Sequence, residues 1–145
     1  MNNILVINCG SSSLKYQLIE MEQERLRLEQ DALGRQTEYG YDELGRVTTR
    51  QIGSAANTQT QQFDTLGRLT TLTNPLGSFT YTYEGTTGRP ASLTYPNGQQ
   101  TTWAYDDNLG DRRLREIHNK RPGGATLSRF EYTYDKAGNI LMWLQ

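Results

Sequence analysis

The sequence has few of the residue types that build a hydrophobic core or a reactive site. Of its 145 residues, 34% are hydrophobic, and there is one cysteine and one histidine. A single cysteine excludes an internal disulfide framework, and together with one histidine it cannot supply a Cys/His zinc set. Lysine and arginine number 15 against 16 aspartates and glutamates, a balance that argues against a nucleic-acid partner.

Long apolar runs are also missing. None approaches the roughly 18 residues that cross a bilayer, and residues 4–7 (ILVI) are too short for the core of a signal peptide. We therefore expect no membrane insertion. Low hydrophobicity combined with a net charge of −1 favours a fold with little aliphatic core over a disordered chain.

An internal repeat runs through most of the chain. Its unit is an aromatic residue, an acid, two or three residues, glycine, arginine and an aliphatic residue. The clearest copies are 41–47 (YDELGRV) and 63–69 (FDTLGRL), and looser ones begin at Tyr83, Tyr105 and Tyr134. The opening aromatic residues are 22, 20, 22 and 29 positions apart, so the period is about 21 with one insertion. The residues that define the copies are Tyr41, Asp42, Gly45, Arg46, Phe63, Asp64, Gly67, Arg68, Tyr83, Gly88, Arg89, Tyr105, Asp106, Gly110, Tyr134, Asp135 and Gly138.

Two of the copies depart from this pattern, and a partial copy precedes them all. Asp111 and Asn139 stand where arginine is expected, and residues 31–35 (DALGR) resemble the second half of the unit. The long interval after the fourth copy leads us to expect a basic segment, residues 112–121, at the solvated tip of the one hairpin with an insertion. The alternative is a patch that contacts phosphate or acidic glycans. His118 is expected to be an ordinary surface histidine.

Each copy is typical of a β-hairpin. Threonines and aromatic residues alternate before the motif, the aspartate can accept hydrogen bonds from the backbone two residues on, and glycine supplies a positive φ. Residues 74–77 (NPLG) and 95–98 (YPNG) are further turn signals between copies. We predict an all-β protein of stacked antiparallel hairpins.

Aromatic residues recur in pairs at i and i+2, which places both rings on one face of a strand. Stacked hairpins would then carry a ladder of rings, and cross-strand aromatic pairs contribute about 0.2–1 kcal/mol each. The arginines that follow glycine are predicted to lie over tyrosine rings of a neighbouring copy. The pairs are Tyr39/Tyr41, Tyr81/Tyr83, Trp103/Tyr105 and Tyr132/Tyr134, and the arginines are Arg35, Arg46, Arg68 and Arg89.

The repeat and its intervening turns resemble the YD-repeat (Rhs) family over about residues 26–140. The resemblance implies strands of one long sheet that spirals into a hollow shell, in bacteria enclosing a toxin carried at the C-terminus and in animal relatives acting at cell surfaces. This chain would be a non-catalytic fragment of an open shell, with other YD repeats or an enclosed toxin domain as partners and a secreted or cell-surface parent. Open sheet edges predict self-association.

Residues 1–21 do not follow the repeat. A strand at 4–7, a Gly/Ser-rich turn and a returning strand at 14–19 predict a hairpin whose loop N–H groups could bind phosphate. Residues 5–16 (LVINCGSSSLKY) resemble the opening signature of acetate kinases, cytoplasmic enzymes that transfer phosphate between ATP and acetate. That resemblance implies a nucleotide-phosphate site at Lys15, Ser11 and Ser13, and a magnesium ligand at Asn8.

The kinase resemblance ends near Met21, before the rest of such an active site. We therefore expect an incomplete kinase-like hairpin at 1–21, a junction at 22–30 and the repeats at 31–145, joined as a chimera. The junction is rich in helix formers, but the alternation of Leu26 and Leu28 favours a strand.

Two other functions stay open at this point. One is an acetate-kinase-like phosphotransferase fragment, which would need ATP and magnesium; otherwise no cofactor is expected. The other is a module that binds glycans through the tyrosine-rich face.

Overall fold

The computed structural model describes residues 3–7, 14–20, 25–31 and 33–144. These residues form thirteen strands and two short 3-10 turns, with no α-helix among them, so the predicted all-β class is confirmed. The strands are β1 (Asn3–Ile7), β2 (Leu14–Glu20), β3 (Arg25–Asp31), β4 (Gln36–Tyr41), β5 (Val47–Ile52), β6 (Thr58–Phe63), β7 (Leu69–Asn74), β8 (Gly77–Tyr83), β9 (Pro90–Thr94), β10 (Gln100–Tyr105), β11 (Leu114–Lys120), β12 (Thr126–Tyr134) and β13 (Ile140–Leu144). The 3-10 turns are Ala55–Asn57 and Asn108–Gly110.

Across the described part of the chain, no helix has the length and hydrophobicity that a membrane span requires.

The chain divides into two compact units, the first made of residues 1–62 and 72–76. Its strands β1 to β6 pair antiparallel with their neighbours in chain order. β1 and β2 form the hairpin predicted for the N-terminus, with Ile4 opposite Ile19. β3 continues the same sheet, with Leu28 opposite Leu18, so the segment after residue 25 is the predicted strand and not a helix.

The second unit contains residues 63–71 and 77–145. Strands β8 to β13 pair antiparallel in chain order. Large apolar side chains oppose one another across these strands, as where Ile117 lies between Trp103 and Phe130. Since successive strands run in opposite directions, the repeat turns all lie at one end of the strands. The 95–98 turn and the β11–β12 connection lie at the other end.

Neither unit has an aliphatic core among its described residues. No hydrophobic side chain there is fully buried, and the two buried residues are polar, Glu20 at 5% exposure and Thr101 at 6%. Cross-strand pairs and contacts between turns therefore replace core packing as the source of cohesion. The low hydrophobic content of the sequence is a direct consequence of this architecture.

In the second unit, the turns at the strand ends opposite the repeat turns are packed together by glycine and proline. A Cβ at Gly77 would lie 2.6 Å from the Pro96 Cβ, and one at Gly98 would lie 3.4 Å from the Pro122 Cβ. Gly77 also has φ +118°, and Gly98 has φ +80°. Glycine is thus required here both for the turn and for the close approach of the next turn's proline.

Candidate functional site

The kinase-like residues are largely beyond the described part of the chain. Asn8, Ser11 and Ser13 lie outside the described residues, and Lys15 lies in β2 with its side chain undescribed. The phosphate and magnesium sites predicted from the acetate kinase resemblance therefore stay predictions. Among the described residues, no group of three or more His, Cys, Asp or Glu side chains could hold a metal ion.

The functional groups that the fold does organise are those of the repeat turns. In the first copy, Asp42 Oδ1 accepts hydrogen bonds from the backbone N–H of Leu44 at 3.0 Å and of Arg46 at 2.9 Å. Asp42 Oδ2 accepts from Arg46 Nε at 2.7 Å. Gly45 closes the turn with φ +82°. One aspartate thus satisfies two backbone donors and one guanidinium donor within five residues.

The second copy repeats this geometry closely. Asp64 accepts from Leu66 N and Arg68 N at 2.9 Å and from Arg68 Nε at 2.7 Å, and Gly67 has φ +79°. The hydrogen bond from the Arg68 backbone holds the pKa of Asp64 below its ordinary value of 3.8. For Asp42, partial desolvation favours a higher pKa, but the hydrogen bonds from Arg46 outweigh it and the pKa is lowered.

The fifth copy carries Asn139 where the repeat predicts arginine, and the turn keeps the same pattern of hydrogen bonds to its aspartate. Asn139 Nδ2 donates to Asp135 Oδ2 at 2.9 Å, and its backbone N–H donates to Asp135 Oδ1 at 2.8 Å. These two bonds lower the pKa of Asp135. Gly138 supplies the positive φ, +91°. An amide therefore replaces the guanidinium as the side-chain donor.

The third copy closes by a different route, because it has glutamate and one extra residue. The Thr87 hydroxyl donates to the Glu84 carbonyl at 2.7 Å and accepts from the Arg89 backbone N–H at 3.2 Å. Glu84 Oε2 is buried with no hydrogen-bond partner among the described residues. Gly85 has the positive φ, +53°, and Gly88 does not, so the turn role predicted for Gly88 is wrong.

The fourth copy was expected to have lost its arginine to Asp111, and the structure corrects this. The Asp106 backbone N–H donates to the Arg113 carbonyl at 2.8 Å, the bond that pairs the aspartate and arginine positions in the other copies. The loop is three residues longer than in the two clearest copies, so the arginine position falls at 113. Asp111 and Arg112 take the positive φ values, 56° and 51°, that were predicted for Gly110.

An arginine and a tyrosine join successive turns. The Arg68 guanidinium carbon lies 4.5 Å from the centre of the Tyr83 ring, which opens the next copy. The Tyr83 hydroxyl donates to the Leu69 carbonyl at 2.7 Å. Arg68 Nη1 donates to the carbonyls of Gly85 and Thr87 at 2.9 and 2.6 Å. We call the contact between a guanidinium and the tyrosine ring of the next copy the arginine–tyrosine staple.

Two further staples follow in the second unit. Arg89 lies 5.8 Å from the centre of the Tyr105 ring, and Arg113 lies 5.6 Å from that of Tyr134. Both tyrosine hydroxyls donate to the carbonyl of the residue after the arginine, at 3.0 and 2.6 Å. Arg113 Nη1 also donates to the Asp135 carbonyl at 2.8 Å. The prediction that repeat arginines lie over neighbouring tyrosine rings is confirmed for Arg68 and Arg89.

The first unit contains a staple that the repeat pattern of the sequence did not predict. Arg25 lies 5.5 Å from the centre of the Tyr41 ring and donates through Nη1 to the Asp42 carbonyl at 3.0 Å. Arg25 follows Glu20 at the spacing that separates the acid from the arginine in the third copy. The copy escapes notice because Ile19 replaces the aromatic residue and glycine is absent. The Glu-x4-Arg-Leu spacing was the signal that could have found it.

The partial copy at 31–35 has the repeat's turn but not its position. Asp31 accepts from Leu33 N, Arg35 N and Arg35 Nε at 2.9, 3.0 and 2.6 Å. This turn joins β3 to β4, whereas the Asp42 turn joins β4 to β5. The two turns therefore lie at opposite ends of the strands. The Arg35 side chain is 69% exposed, whereas that of Arg68 is 20% exposed.

Comparison with known proteins shows which family this repeat belongs to. The model of the teneurin YD-shell family matches residues 16–111, about two thirds of the chain. The chain belongs to the teneurin YD-shell family. A curated relative, the double-stranded DNA deaminase toxin A of Burkholderia cenocepacia (strain H111), is 32% identical over 127 residues, which cover 76% of this chain and 8% of that protein.

Solved structures share the YD-shell fold at lower identity. The TcdB2-TccC3 complex matches with a TM-score of 0.68 and 16% identity, over 95% of this chain and 9% of that one. The Tc holotoxin pore of Photorhabdus luminescens matches with a TM-score of 0.64 and 22% identity, over 93% of this chain and 7% of that one. The chain thus spans less than a tenth of the length of these relatives.

The sequence predicted that the basic segment, residues 112–121, is the solvated tip of a hairpin. This prediction is wrong, because most of the segment is strand β11. Arg113 belongs to a staple, and Arg112 Nε donates to Asn108 Oδ1 at 2.6 Å. His118 Nε2 lies 2.9 Å from Thr126 Oγ1, and its Nδ1 lies 3.7 Å from Glu116 Oε1. Arg112, Arg113 and His118 therefore contact neighbouring strands and turns.

Three of the YD-shell tyrosines take part in staples. Tyr83, Tyr105 and Tyr134 each face a guanidinium, and their hydroxyls donate to backbone carbonyls. Burial raises the pKa of Tyr83, and burial with the nearby Glu84 carboxylate raises that of Tyr105. The predicted aromatic ladder is thus, at these positions, an alternation of tyrosine and arginine.

Shallow cavities lie on the sheet faces. One of about 370 Å³ in the first unit is lined by Arg50, Ile52, Asn57, Gln59, Asn74 and Pro75. One of about 250 Å³ in the second unit lies over a polar row in which Thr101 donates to Asn119 Oδ1 at 2.7 Å. Asn119 Nδ2 donates to Ser128 Oγ at 2.9 Å. The row's polar atoms thus bond mainly to one another and hold three strands in register.

Proposed function

We propose that this chain is a segment of the wall of a larger YD-shell protein that encloses or presents a toxin domain. The observation that carries the proposal is the staple, which recurs at Arg25 in the first unit and at Arg68, Arg89 and Arg113 in the second. A contact in which each copy holds the next extends a sheet without a core, which suits a wall.

The relatives support the toxin part of the proposal. The curated relative is named a toxin, and the solved structures include a Tc holotoxin pore. Those whole proteins are more than ten times longer than the matched segment, so the enclosed partner of this chain is part of the proposal. In this function the chain supplies surface and rigidity, and it performs no chemistry of its own.

A graft tests the wall function. The segment of the Burkholderia relative that aligns with this chain is replaced by this chain, and the toxin part of the hybrid is exposed to protease. We expect the toxin part of the hybrid to resist the protease to the same degree as that of the unmodified relative. A hybrid with Arg68→Ala and Arg113→Ala serves as the control with a weakened wall. Loss of protection in the unmodified hybrid, with the relative intact, would overturn the proposal.

The phosphotransferase alternative has a separate test. We expect no formation of acetyl phosphate from ATP, magnesium and acetate above the level of a protein-free blank, because phosphoryl transfer needs charge neutralisation and positioning from several elements at once. Activity that Lys15→Ala abolishes would establish the kinase-like function instead.

A further inference from the structure

A cavity in the first unit gathers polar side chains that take no part in the staples. Its volume is about 370 Å³, and it lies where β5 ends, where β6 begins and where the turn after β7 starts. We call it the Arg50 cavity. All of its described lining residues belong to the first unit and have paired strands before and after them in the chain. They are Arg50, Ile52, Asn57, Gln59, Asn74 and Pro75.

Strand register places the cation of the Arg50 cavity beside a carboxamide. Arg50 lies opposite Gln59 of β6 on one side and opposite Tyr39 of β4 on the other, so the three side chains share one face of the sheet. The Tyr39 hydroxyl accepts a hydrogen bond from the Arg50 guanidinium and donates to Glu29 Oε1 at 2.8 Å. A guanidinium has five N–H donors. The contact with Tyr39 therefore orients Arg50 without using all of its donors.

Carboxamides supply the other polar groups of the lining. Asn74 Oδ1 accepts from the Leu76 backbone N–H at 2.9 Å, a contact that does not use its Nδ2 donors. Asn57 and Gln59 add two further carboxamides, and each such group has both a donor and an acceptor, as a hydroxyl has. Ile52, which is 40% exposed, adds apolar surface. The lining thus combines one cation, three carboxamides and a small apolar patch.

The charge of the Arg50 cavity is not balanced by its own lining. In the described part of the chain no acidic residue lines it, and Glu29 contacts the Tyr39 hydroxyl instead. The cavity beside β11 and β12 differs, because its Arg129 pairs with Glu116 and with Glu131, each at 2.6 Å. A guanidinium surrounded by carboxamides favours a ligand that has both an anionic group and hydroxyls.

We propose that the Arg50 cavity binds a monosaccharide that carries a carboxylate, such as a hexuronic acid. The carboxylate accepts hydrogen bonds from the Arg50 guanidinium, and the ring hydroxyls bond to the carboxamides. The apolar face of the sugar ring lies on Ile52 and Pro75. One arginine balances the single charge of a carboxylate, whereas a phosphate monoester carries about −1.5 to −2 at neutral pH.

The size of the cavity supports a single sugar unit. Ligand sites run from about 300 to 1,000 Å³, and this one is near the lower limit. The proposal does not depend on the wall function proposed above.

An NMR titration of the chain with glucuronate tests the proposal. We expect saturable shifts of the side-chain amide signals of Asn57, Gln59 and Asn74, because these groups contact the sugar. Glucose lacks the carboxylate and acetate lacks the hydroxyls, so each should bind at least about tenfold more weakly. Glucose 6-phosphate distinguishes the two kinds of anion and should also bind more weakly than glucuronate.

Variants show whether the arginine carries the binding. Arg50→Gln should weaken glucuronate binding at least about tenfold, because it removes the charged donor. Asn57→Asp, which keeps the shape of the side chain and adds a like charge to the cavity, should have a similar effect and leaves the contact between Arg50 and Tyr39 in place. Arg35→Gln is the matched control in another turn of the same unit and should leave binding unchanged. Circular dichroism shows whether each variant keeps its strands.

Several results would overturn the proposal. These are the absence of saturable shifts at the lining carboxamides, equal binding of glucose or acetate, and binding that Arg50→Gln and Asn57→Asp leave intact. Tighter binding of glucose 6-phosphate would assign the cavity to a phosphate and would overturn the carboxylate assignment.

Discussion

At the scale of single residues, the repeat arginine does several things that no other side chain could combine. Arg68 pairs with Asp64 in its own turn, covers the Tyr83 ring and donates to two carbonyls of the next turn. A planar guanidinium with five donors allows all three contacts, whereas an ammonium group is a point charge. The aspartate and tyrosine of the motif are then the partners that this geometry requires.

Replacing Arg68 by alanine should therefore destabilise the sheet strongly. We expect a loss of about 1–3 kcal/mol in the free energy of unfolding, since a cation–π contact and hydrogen bonds from a charged donor are removed. Arg68→Lys should recover only a small part. Arg35→Ala, in a turn of the same chemistry but with an exposed guanidinium, is the matched control and should cost much less. Chemical denaturation measures all three; equal losses for Arg68→Ala and Arg35→Ala would contradict the staple.

Acid should weaken the turns. The pKa values of Asp42, Asp64 and Asp135 are lowered in the fold, so their carboxylates contribute stability above the unfolded-state value near 4. That contribution is lost as pH falls through the lowered folded values. We expect the midpoint temperature of thermal unfolding to decrease as the pH is lowered under about 4. Asp64→Asn should make this decrease smaller, because it removes one of the titrating carboxylates. A midpoint independent of pH between neutral and acid conditions would show that the aspartates do not hold the turns.

At the scale of elements, loop length decides which residue closes each turn. With three residues between aspartate and arginine, glycine takes the positive φ, as at Gly45 and Gly67. One extra residue moves that role to Gly85, and the longer fourth loop gives it to Asp111 and Arg112. The motif as read from the sequence assumed one turn type, and it was therefore right for the short loops and wrong for Gly88 and Gly110.

Two glycines separate these roles experimentally. Gly45→Ala should cost about 1–2 kcal/mol, because φ is +82° and a Cβ would lie 3.1 Å from Arg25 Nη2. Gly88→Ala should be neutral or stabilise by up to about 1 kcal/mol, because its φ is not positive and a Cβ would meet no heavy atom within 4 Å. Thermal unfolding of the two variants measures the difference. A larger loss at Gly88 than at Gly45 would restore the sequence-based assignment.

At the scale of the whole molecule, the described residues form sheet structure without an aliphatic core. Tyrosine, arginine and threonine take the places that leucine and valine hold in a two-layer fold, and the buried residues are Glu20 and Thr101. Glu20 is paired with Arg27, as a buried carboxylate must be. Cohesion is consequently local, from strand to strand and from turn to turn.

This organisation should show in calorimetry. The heat-capacity increase on unfolding comes mainly from newly exposed apolar surface, so we expect a value per residue below the roughly 12–15 cal/mol/K of ordinary globular domains. Scanning calorimetry at several pH values gives the quantity from the slope of enthalpy against midpoint temperature. A value within the ordinary range would mean that the chain buries far more apolar surface than its strands show.

The sequence by itself determined the hairpins, their period and the chemistry of the short turns. These depend on contacts within about five residues, such as Asp42 with Arg46, and such contacts are written in the order of the residues. Tertiary structure alone decided which arginine lies over which ring, that Arg25 and Arg113 take that position, and that the 31–35 turn faces the other edge. Those outcomes follow from the register of paired strands and from the lengths of their loops, which a local pattern does not specify.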